Sequence, residues 1–254
     1  MSILNQFELV GKKAFVTGGA RGIGKSVAIA LAEAGASVAI VDLDLETAEE
    51  TAAQLRKLGV KTLAVKTDVT VPQDVDRMID TVMASFGTID IAFNNAGICI
   101  NQSAAEMNYE TWRKVIDVNL NGVFLTAQAA GRIMVKNQKG SIINTASMSG
   151  HIVNEPQPQC AYNASKAGII QLTKSLAAEW APYHVRVNSI SPGYIGTDLT
   201  NAATQWIPGW VDRTPQKRMG NPEELQGAVL YLASDAATFT TGTDLIVDGG
   251  FTCW

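Results

Sequence analysis

Lys13-Ala14-Phe15-Val16-Thr17-Gly18-Gly19-Ala20-Arg21-Gly22-Ile23-Gly24 is the stretch on which the fold turns. Its first five residues form a short apolar run bounded by Gly11 and Gly18, the pattern of a buried strand. A helical pattern then covers residues 25–34 and stops at Gly35. Strand, glycine-rich turn and helix in that order make a pyrophosphate site. The glycines let the backbone approach the phosphates, and the helix N-terminus offers free N–H groups and a favourable dipole. The spacing is G-x-x-x-G-x-G and not the more usual G-x-G-x-x-G. A glycine-rich turn by itself is often only a tight turn; the flanking strand and helix lift this one above that.

Working outward, residues 37–41 read as a second strand ended by Asp42, 24 residues beyond Gly18. An acidic residue there accepts hydrogen bonds from the adenosine ribose and repels a 2′-phosphate, which favours NAD over NADP. Arg21 is a counter-signal, because a basic side chain in the turn can reach a 2′-phosphate; the plain alternative for Asp42 is a helix cap or a solvated turn. Helix 45–58, strand 62–66 leading to Asp68-Val69, helix 72–86 and strand 89–93 leading to Asn94-Asn95-Ala96-Gly97 follow. Strands alternating with helices predict one Rossmann-type α/β domain, a doubly wound parallel sheet of about seven strands with helices on both faces. No linker or composition shift divides residues 1–254; a cofactor half occupies about 1–145 and a catalytic and substrate half about 146–254.

Farther along, a long helical pattern spans residues 109–136 with Asn119 inside it. Asparagine is unfavourable there; it either faces solvent or bends the helix and uses its backbone carbonyl to hold a water. Strand 141–143 leads to Ser147, at a strand's carboxyl end, where ligands collect in open α/β sheets, although a serine there is more often a cap. Tyr162 and Lys166 lie four apart in a predicted helix over residues 161–180, which places both on one face. A nearby ammonium favours the phenolate and lowers the phenol's pKa, so in a cleft the pair moves a proton near neutral pH; the plain alternative is a half-exposed tyrosine beside a solvated lysine.

The bulk numbers exclude other classes. At 46% hydrophobic and 17% charged the chain is globular, and a net charge of −4 with no basic run leaves no footprint for nucleic acid or an anionic membrane. Three scattered cysteines form neither a metal pattern nor a disulfide framework. Residues 1–10 lack the apolar core of a secretory leader, and no run is long enough to span a bilayer. The expected location is the cytoplasm. His151 and His184 have no evident ligand partners, so no metal is expected; His151, near Ser147, is either structural or a substrate contact.

Together, Thr17-Gly18-x-x-x-Gly22-Ile23-Gly24, Asn94-Asn95-Ala96-Gly97, the Asn119 context, Ser147, Tyr162-x-x-x-Lys166 and Pro192-Gly193 resemble, in order and over essentially the whole length, the short-chain dehydrogenase/reductase family. The resemblance implies Tyr162 as general acid/base, with Lys166 lowering its pKa and binding the nicotinamide ribose. It implies Ser147 orienting the substrate oxygen and Asn119 holding a water that links Lys166 to solvent. Asp68 and Val69 would contact adenine; Asn95, with Ala96 and Gly97, would lie beside the cofactor. Pro192, Gly193, Ile195 and Thr197 would border the nicotinamide end. A homotetramer is the family's usual assembly.

Between Ser147 and Tyr162 the loop is polar and proline-containing. It either serves a substrate with several hydroxyls, through Asn154, Glu155 and Gln157, or is an ordinary exposed loop. Its Ser147-Met148-Ser149-Gly150 and Ile152-Val153-Asn154 runs, and the ending from Asp248 to Trp254, resemble polyol members of the family, of galactitol and sorbitol type. Residues 191–222 read as a lid, with the substrate loop at about 194–222 and a short helix over 201–211. Ser149, Tyr194 and Trp206 join the candidate substrate contacts. The expected activity is reversible hydride transfer between NAD and a polyol/ketose pair. The alternatives are a 3-oxoacyl thioester reductase and a catalytically silent dinucleotide-binding sensor.

Overall fold

A computed structural model describes residues 2–253, apart from the Leu199 side chain; the terminal Trp254 lies outside the described residues. The strands are β1 (Lys13–Thr17), β2 (Ser37–Asp42), β3 (Thr62–Lys66), β4 (Ile91–Asn94), β5 (Gly140–Thr145), β6 (Val185–Pro192) and β7 (Asp244–Val247). They form one sheet in the order β3-β2-β1-β4-β5-β6-β7, and every pairing is parallel. The helices are α1 (Gly22–Glu33), α2 (Leu45–Arg56), α3 (Pro72–Phe86), α4 (Tyr109–Ile116), α5 (Gly122–Asn137), α6 (Cys160–Trp180), α7 (Asp198–Asn201), α8 (Ile207–Arg213) and α9 (Gln226–Ala233).

Because both faces of a parallel sheet are covered, its strands are apolar almost throughout. Alternation decides only which layer each residue joins. Val16, Ile40, Phe93 and Ile143 pack with Val27 and Leu31 of α1 and with Val229 and Leu232 of α9. Phe15, Ala39, Ile142 and Val187 enter the opposite layer with Met78 of α3, Met134 of α5 and Trp180 of α6. Each fully buried large side chain contributes about 1.5–3 kcal/mol. The chain reverses direction across the sheet between β1 and β4, and their carboxyl ends open the crevice where open α/β folds take ligands.

Several expected boundaries shift. Strand β6 runs to Pro192 and not to residue 188; a proline closes a strand without cost where its missing N–H has no ladder partner to serve. The helix expected over residues 201–211 is two pieces, α7 and α8, because Pro208 occupies the first turn of α8, where its missing N–H and fixed φ suit a helix start. The helix expected over 109–136 is interrupted by a π-turn at Asp117–Asn121. That extra residue turns Asn119 fully inward, 0% exposed. The solvent-facing alternative for Asn119 is therefore wrong.

Candidate active site

A cavity of about 540 Å³ runs along the carboxyl ends of the strands, from the β2 end past β1 and β4 to the segment after β6. At its phosphate end, Gly18 has φ +61°, a left-handed conformation that suits glycine. A Cβ on Gly24 would stand 2.1 Å from the Gly18 carbonyl oxygen, so Gly24 is fixed by packing of α1 against the turn and is not part of the cavity wall. Thr17 Oγ1 accepts from the backbone N–H of Asn95 (2.9 Å) and Ala96 (3.1 Å), while Asn95 Nδ2 donates to the carbonyls of Thr17 and Gly18, both at 3.2 Å. These bonds weld the turn after β1 to the loop after β4. The N-cap of α1, Arg21, makes no side-chain capping bond, so no side chain occupies that helix terminus, and the first residues of α1, Gly22 and Ile23, line the cavity. The residues present therefore fit a dinucleotide's pyrophosphate.

Beyond the phosphates, Asp42 stands in the wall, with Oδ2 accepting from Ala20 N and Oδ1 from Asp44 N, each at 3.1 Å. Each oxygen retains a lone pair for a ribose hydroxyl. Arg21 is engaged by Asp44, which also caps α2 by accepting from Thr47. The basic side chain that favoured a 2′-phosphate is thereby paired with a carboxylate. Thr67, Asp68 and Val69 line the far end.

At the other end, α6 presents Tyr162 and Lys166 to the cavity, with Nζ 5.4 Å from the tyrosine ring centroid. Lys166 Nζ donates to the Thr145 carbonyl at 2.7 Å. Burial pulls the lysine down to about 8, opposed in part by the Cys99 thiol. The ring of Tyr162 is partly exposed, yet burial pushes its phenol up to about 12; Cys99 adds to the rise and hydrogen bonding with Ser147 opposes it. The sequence reading has Lys166 lowering the phenol's pKa; burial of the hydroxyl acts in the opposite direction, and the Lys166 ammonium donates to the Thr145 carbonyl. Ser147 lies beside it, its Oγ 3.1 Å from Ser149 Oγ.

Asn119 does not line the cavity. Its amide exchanges two hydrogen bonds with the Ile98 backbone (2.8 and 2.9 Å) and donates to Ser165 Oγ at 3.1 Å, tying the loop after β4 to α6 near Tyr162 and Lys166. Ala96, Gly97, Gly193 and Thr197 are in the wall; Pro192 and Ile195 lie outside it, at the end of β6 and in a bridge to Gly220.

The substrate end is a web of buried amides and aromatic rings. Tyr194 stacks on Trp210 (centroids 4.1 Å apart) and meets Phe251 edge-on. Its hydroxyl accepts from Asn154 Nδ2 (3.0 Å) and Gln157 Nε2 (2.8 Å), and Trp210 Nε1 donates to Gln157 Oε1 at 3.1 Å. Ser149, Asn154, Gln157, Tyr194 and Trp206 all line the cavity. Glu155 does not: it is exposed and paired with Arg213 (2.9 Å), because the loop turns Glu155 and Pro156 outward between the inward Asn154 and Gln157. His151 is no substrate contact either. Its Nε2 sits 2.7 Å from Asp244, whose carboxylate also accepts from Ser189 and Ser191, so it clamps a loop to β6 and β7. Cys99 and Gln159 line the cavity without having been singled out from sequence, and Trp210, one of the aromatics of the expected lid helix, joins them. For Gln159 the available signal was an amide residue directly before a helix whose N-terminus it does not cap.

Among the described residues no group of three His, Cys, Asp or Glu side chains is placed to hold a metal ion, and no helix is long and apolar enough to cross a membrane. The family model described as enoyl-(acyl carrier protein) reductase matches residues 18–252. The chain is 48% identical to a sorbose reductase of Candida albicans over 99% of this chain and 91% of that one. It is 46% identical to a probable NADP-dependent mannitol dehydrogenase of Yarrowia lipolytica over 99% and 91%. It is 47% identical to a galactitol 2-dehydrogenase of Rhizobium johnstonii over 100% of both. A crystal structure of a short-chain type dehydrogenase/reductase from Mycobacterium marinum superposes with a TM-score of 0.98 at 47% identity, covering 100% of both chains. A cavity built for a nicotinamide dinucleotide, the matched span and these relatives place the chain in the short-chain dehydrogenase/reductase family, as an enzyme of the alcohol dehydrogenase and ketoreductase type.

Proposed function

We propose that this enzyme is an NAD-dependent dehydrogenase that interconverts a secondary alcohol of a polyol and the corresponding ketose, working as a cytoplasmic homotetramer. The observation that carries the substrate class is the web of buried Ser149, Asn154 and Gln157 with half-buried Tyr194 beside Ser147 and Tyr162. Buried hydrogen-bonding groups favour a substrate that satisfies them and reject an apolar one that leaves them unpaired. The relatives named for sorbose, mannitol and galactitol support the same class. Asp42, with Arg21 engaged by Asp44, supports NAD over NADP, although one of those relatives is named NADP-dependent.

When bound, the nicotinamide supplies or takes the hydride. The chain does the rest. The Gly18 turn and the start of α1 hold the pyrophosphate, Asp42 takes the adenosine ribose, and Lys166 reaches the nicotinamide ribose. Ser147 donates to the substrate oxygen and fixes its position. Tyr162 gives its proton to that oxygen in reduction and, as the phenolate, takes it back in oxidation. Asn119 secures the loop and helix that frame this pair.

A thioester reductase would need an apolar channel for an acyl chain where this site places amides. The deciding experiment follows NADH formation over C4–C6 polyols, simple secondary alcohols and 3-hydroxyacyl thioesters, with NAD⁺ and NADP⁺ compared. Turnover confined to polyols, with NAD⁺ preferred, is expected. Silence on every polyol would remove the substrate assignment, and silence on all substrates with intact NADH binding would favour a sensor.

A further inference from the structure

Gln159 occupies a position that neither cofactor binding nor proton transfer explains. It is 7% exposed, lines the cavity, and immediately precedes α6. Its Nε2 faces three acceptors: Asn154 Oδ1 and Asn163 Oδ1, both at 2.9 Å, and Ser149 Oγ at 3.4 Å. An amide nitrogen has two protons, so this side is fully used. Trp210 can only donate, so Gln157 turns its oxygen to the indole and its nitrogen to Tyr194. Asn154 also gives its nitrogen to Tyr194, which leaves its oxygen for Gln159.

The other end of Gln159 is poorly served. The sole partner of Oε1 among the described residues is the Cys99 thiol at 3.8 Å, a weak donor. A largely buried amide oxygen in a cavity wall with so weak a partner is an acceptor awaiting a better donor. Its position says which donor. Ser147, which addresses the reacting oxygen, is 3.1 Å from Ser149, and Ser149 is the next group to Gln159. One step beyond the reacting oxygen on a polyol is the hydroxyl of the adjoining carbon.

We propose that Gln159 Oε1 accepts a hydrogen bond from the hydroxyl on the carbon next to the one oxidised, and so selects vicinal diols and α-hydroxy ketones over simple secondary alcohols and ketones; this rests on the polyol reading above. The thiol of Cys99 yields its place to that hydroxyl. Gln159 is thus a specificity residue, with no part in the proton transfer.

The test compares kcat/KM for 2,3-butanediol and 2-butanol at saturating NAD⁺ in the wild type, Gln159→Leu and Asn163→Ala. The wild type is expected to favour the diol by about 10²-fold. Gln159→Leu should shrink that ratio at least tenfold, chiefly by losing the diol, while NADH binding by fluorescence stays within twofold. Asn163→Ala, which removes one acceptor of Nε2 and leaves Oε1 in place, should keep the ratio. An unchanged ratio in Gln159→Leu overturns the proposal, and so does an equal collapse in Asn163→Ala, which would mean general loosening. If Gln159→Leu fails to bind NADH, the wild-type ratio decides: a value near one overturns the assignment. A wild type that oxidises 2-butanol but no polyol at all would instead sink the polyol reading, a distinguishable failure.

Discussion

At the dinucleotide end the cavity wall is largely backbone: the Gly18 turn, the open start of α1, and the Thr17–Asn95 bonds that weld two loops together. At the substrate end it is side chain: Asn154, Gln157, Gln159, Tyr194 and Trp210, gathered from two segments at least 35 positions apart and joined by amide and indole bonds. A backbone surface can be specified by a few consecutive residues, since glycine and proline act on their own peptide units. A side-chain surface exists only once distant segments have docked. The first can serve any member of a class of cofactors that shares a pyrophosphate; the second can be altered one amide at a time.

Tyr162 stands at the seam, and its replacement tests whether the ends are functionally separate. Tyr162→Phe should lower kcat by about 10²- to 10⁴-fold while the NADH dissociation constant stays within twofold by fluorescence titration. Parallel loss of both would mean that the phenol holds the two walls together. Within the substrate wall, Trp210→Ala removes the plate under Tyr194 and the donor to Gln157. The expected cost is about 3 kcal/mol of stability in chemical denaturation, with a raised KM for the polyol and unchanged NADH affinity. Weakened NADH binding would show that the contrast is false.

Lys166 gives a pH signature of its own. Burial lowers it from the usual 10.5 to about 8. Between those values the unfolded chain binds more protons than the folded one, so this group makes stability rise with pH across that window. Relative to Lys166→Met, the wild type should gain on the order of 2 kcal/mol between pH 8 and pH 10. Tyr162 acts in the opposite sense above pH 10, since its folded value of about 12 exceeds the usual 10 and stability falls as pH rises through that range. A flat wild-type-minus-variant difference would mean a solvated ammonium.

Smaller effects sharpen the comparison from each side. Asp42→Ala should raise the NADP⁺-to-NAD⁺ affinity ratio about tenfold, worth about 1.4 kcal/mol, by calorimetry, and leave the preference among polyols untouched. Glu155→Ala breaks an exposed ion pair on the outer side of the polar loop and should change stability by less than about 1 kcal/mol, with no change in KM. A large rise in KM would place Glu155 in the site after all.

The same contrast governs what the sequence disclosed. The strand-turn-helix beginning at Lys13, the alternation of strands and helices, and the one-turn spacing of Tyr162 and Lys166 are local, and the structure has them where expected. The inward turn of Asn119 follows from a π-turn that no propensity encodes. Gln159 became visible only through the folding of its own loop onto Ser149, Asn154 and Asn163, the role of Trp210 only through its bond to the distant Gln157, and Glu155 could not be sorted from Asn154 and Gln157 without knowing which side of the loop faces Tyr194. The upward pull of burial on the phenol was hidden too, because it depends on how deeply the hydroxyl is buried.

The five residues Asp117–Asn121 hold one residue more than a regular helix would need. Deleting any one of them would restore a smooth ladder with α4 and α5 facing much as they do now, because the wider turn already absorbs the extra residue. Trp112 and Val115 would keep their neighbours, but the amide of Asn119 would leave the loop it fastens. The segment therefore accepts changes of residue far more readily than changes of length. A protein engineer shortening or lengthening this enzyme should treat that stretch as a fixed-length gauge, and a one-residue deletion there should prove more damaging than most deletions in the loops around it.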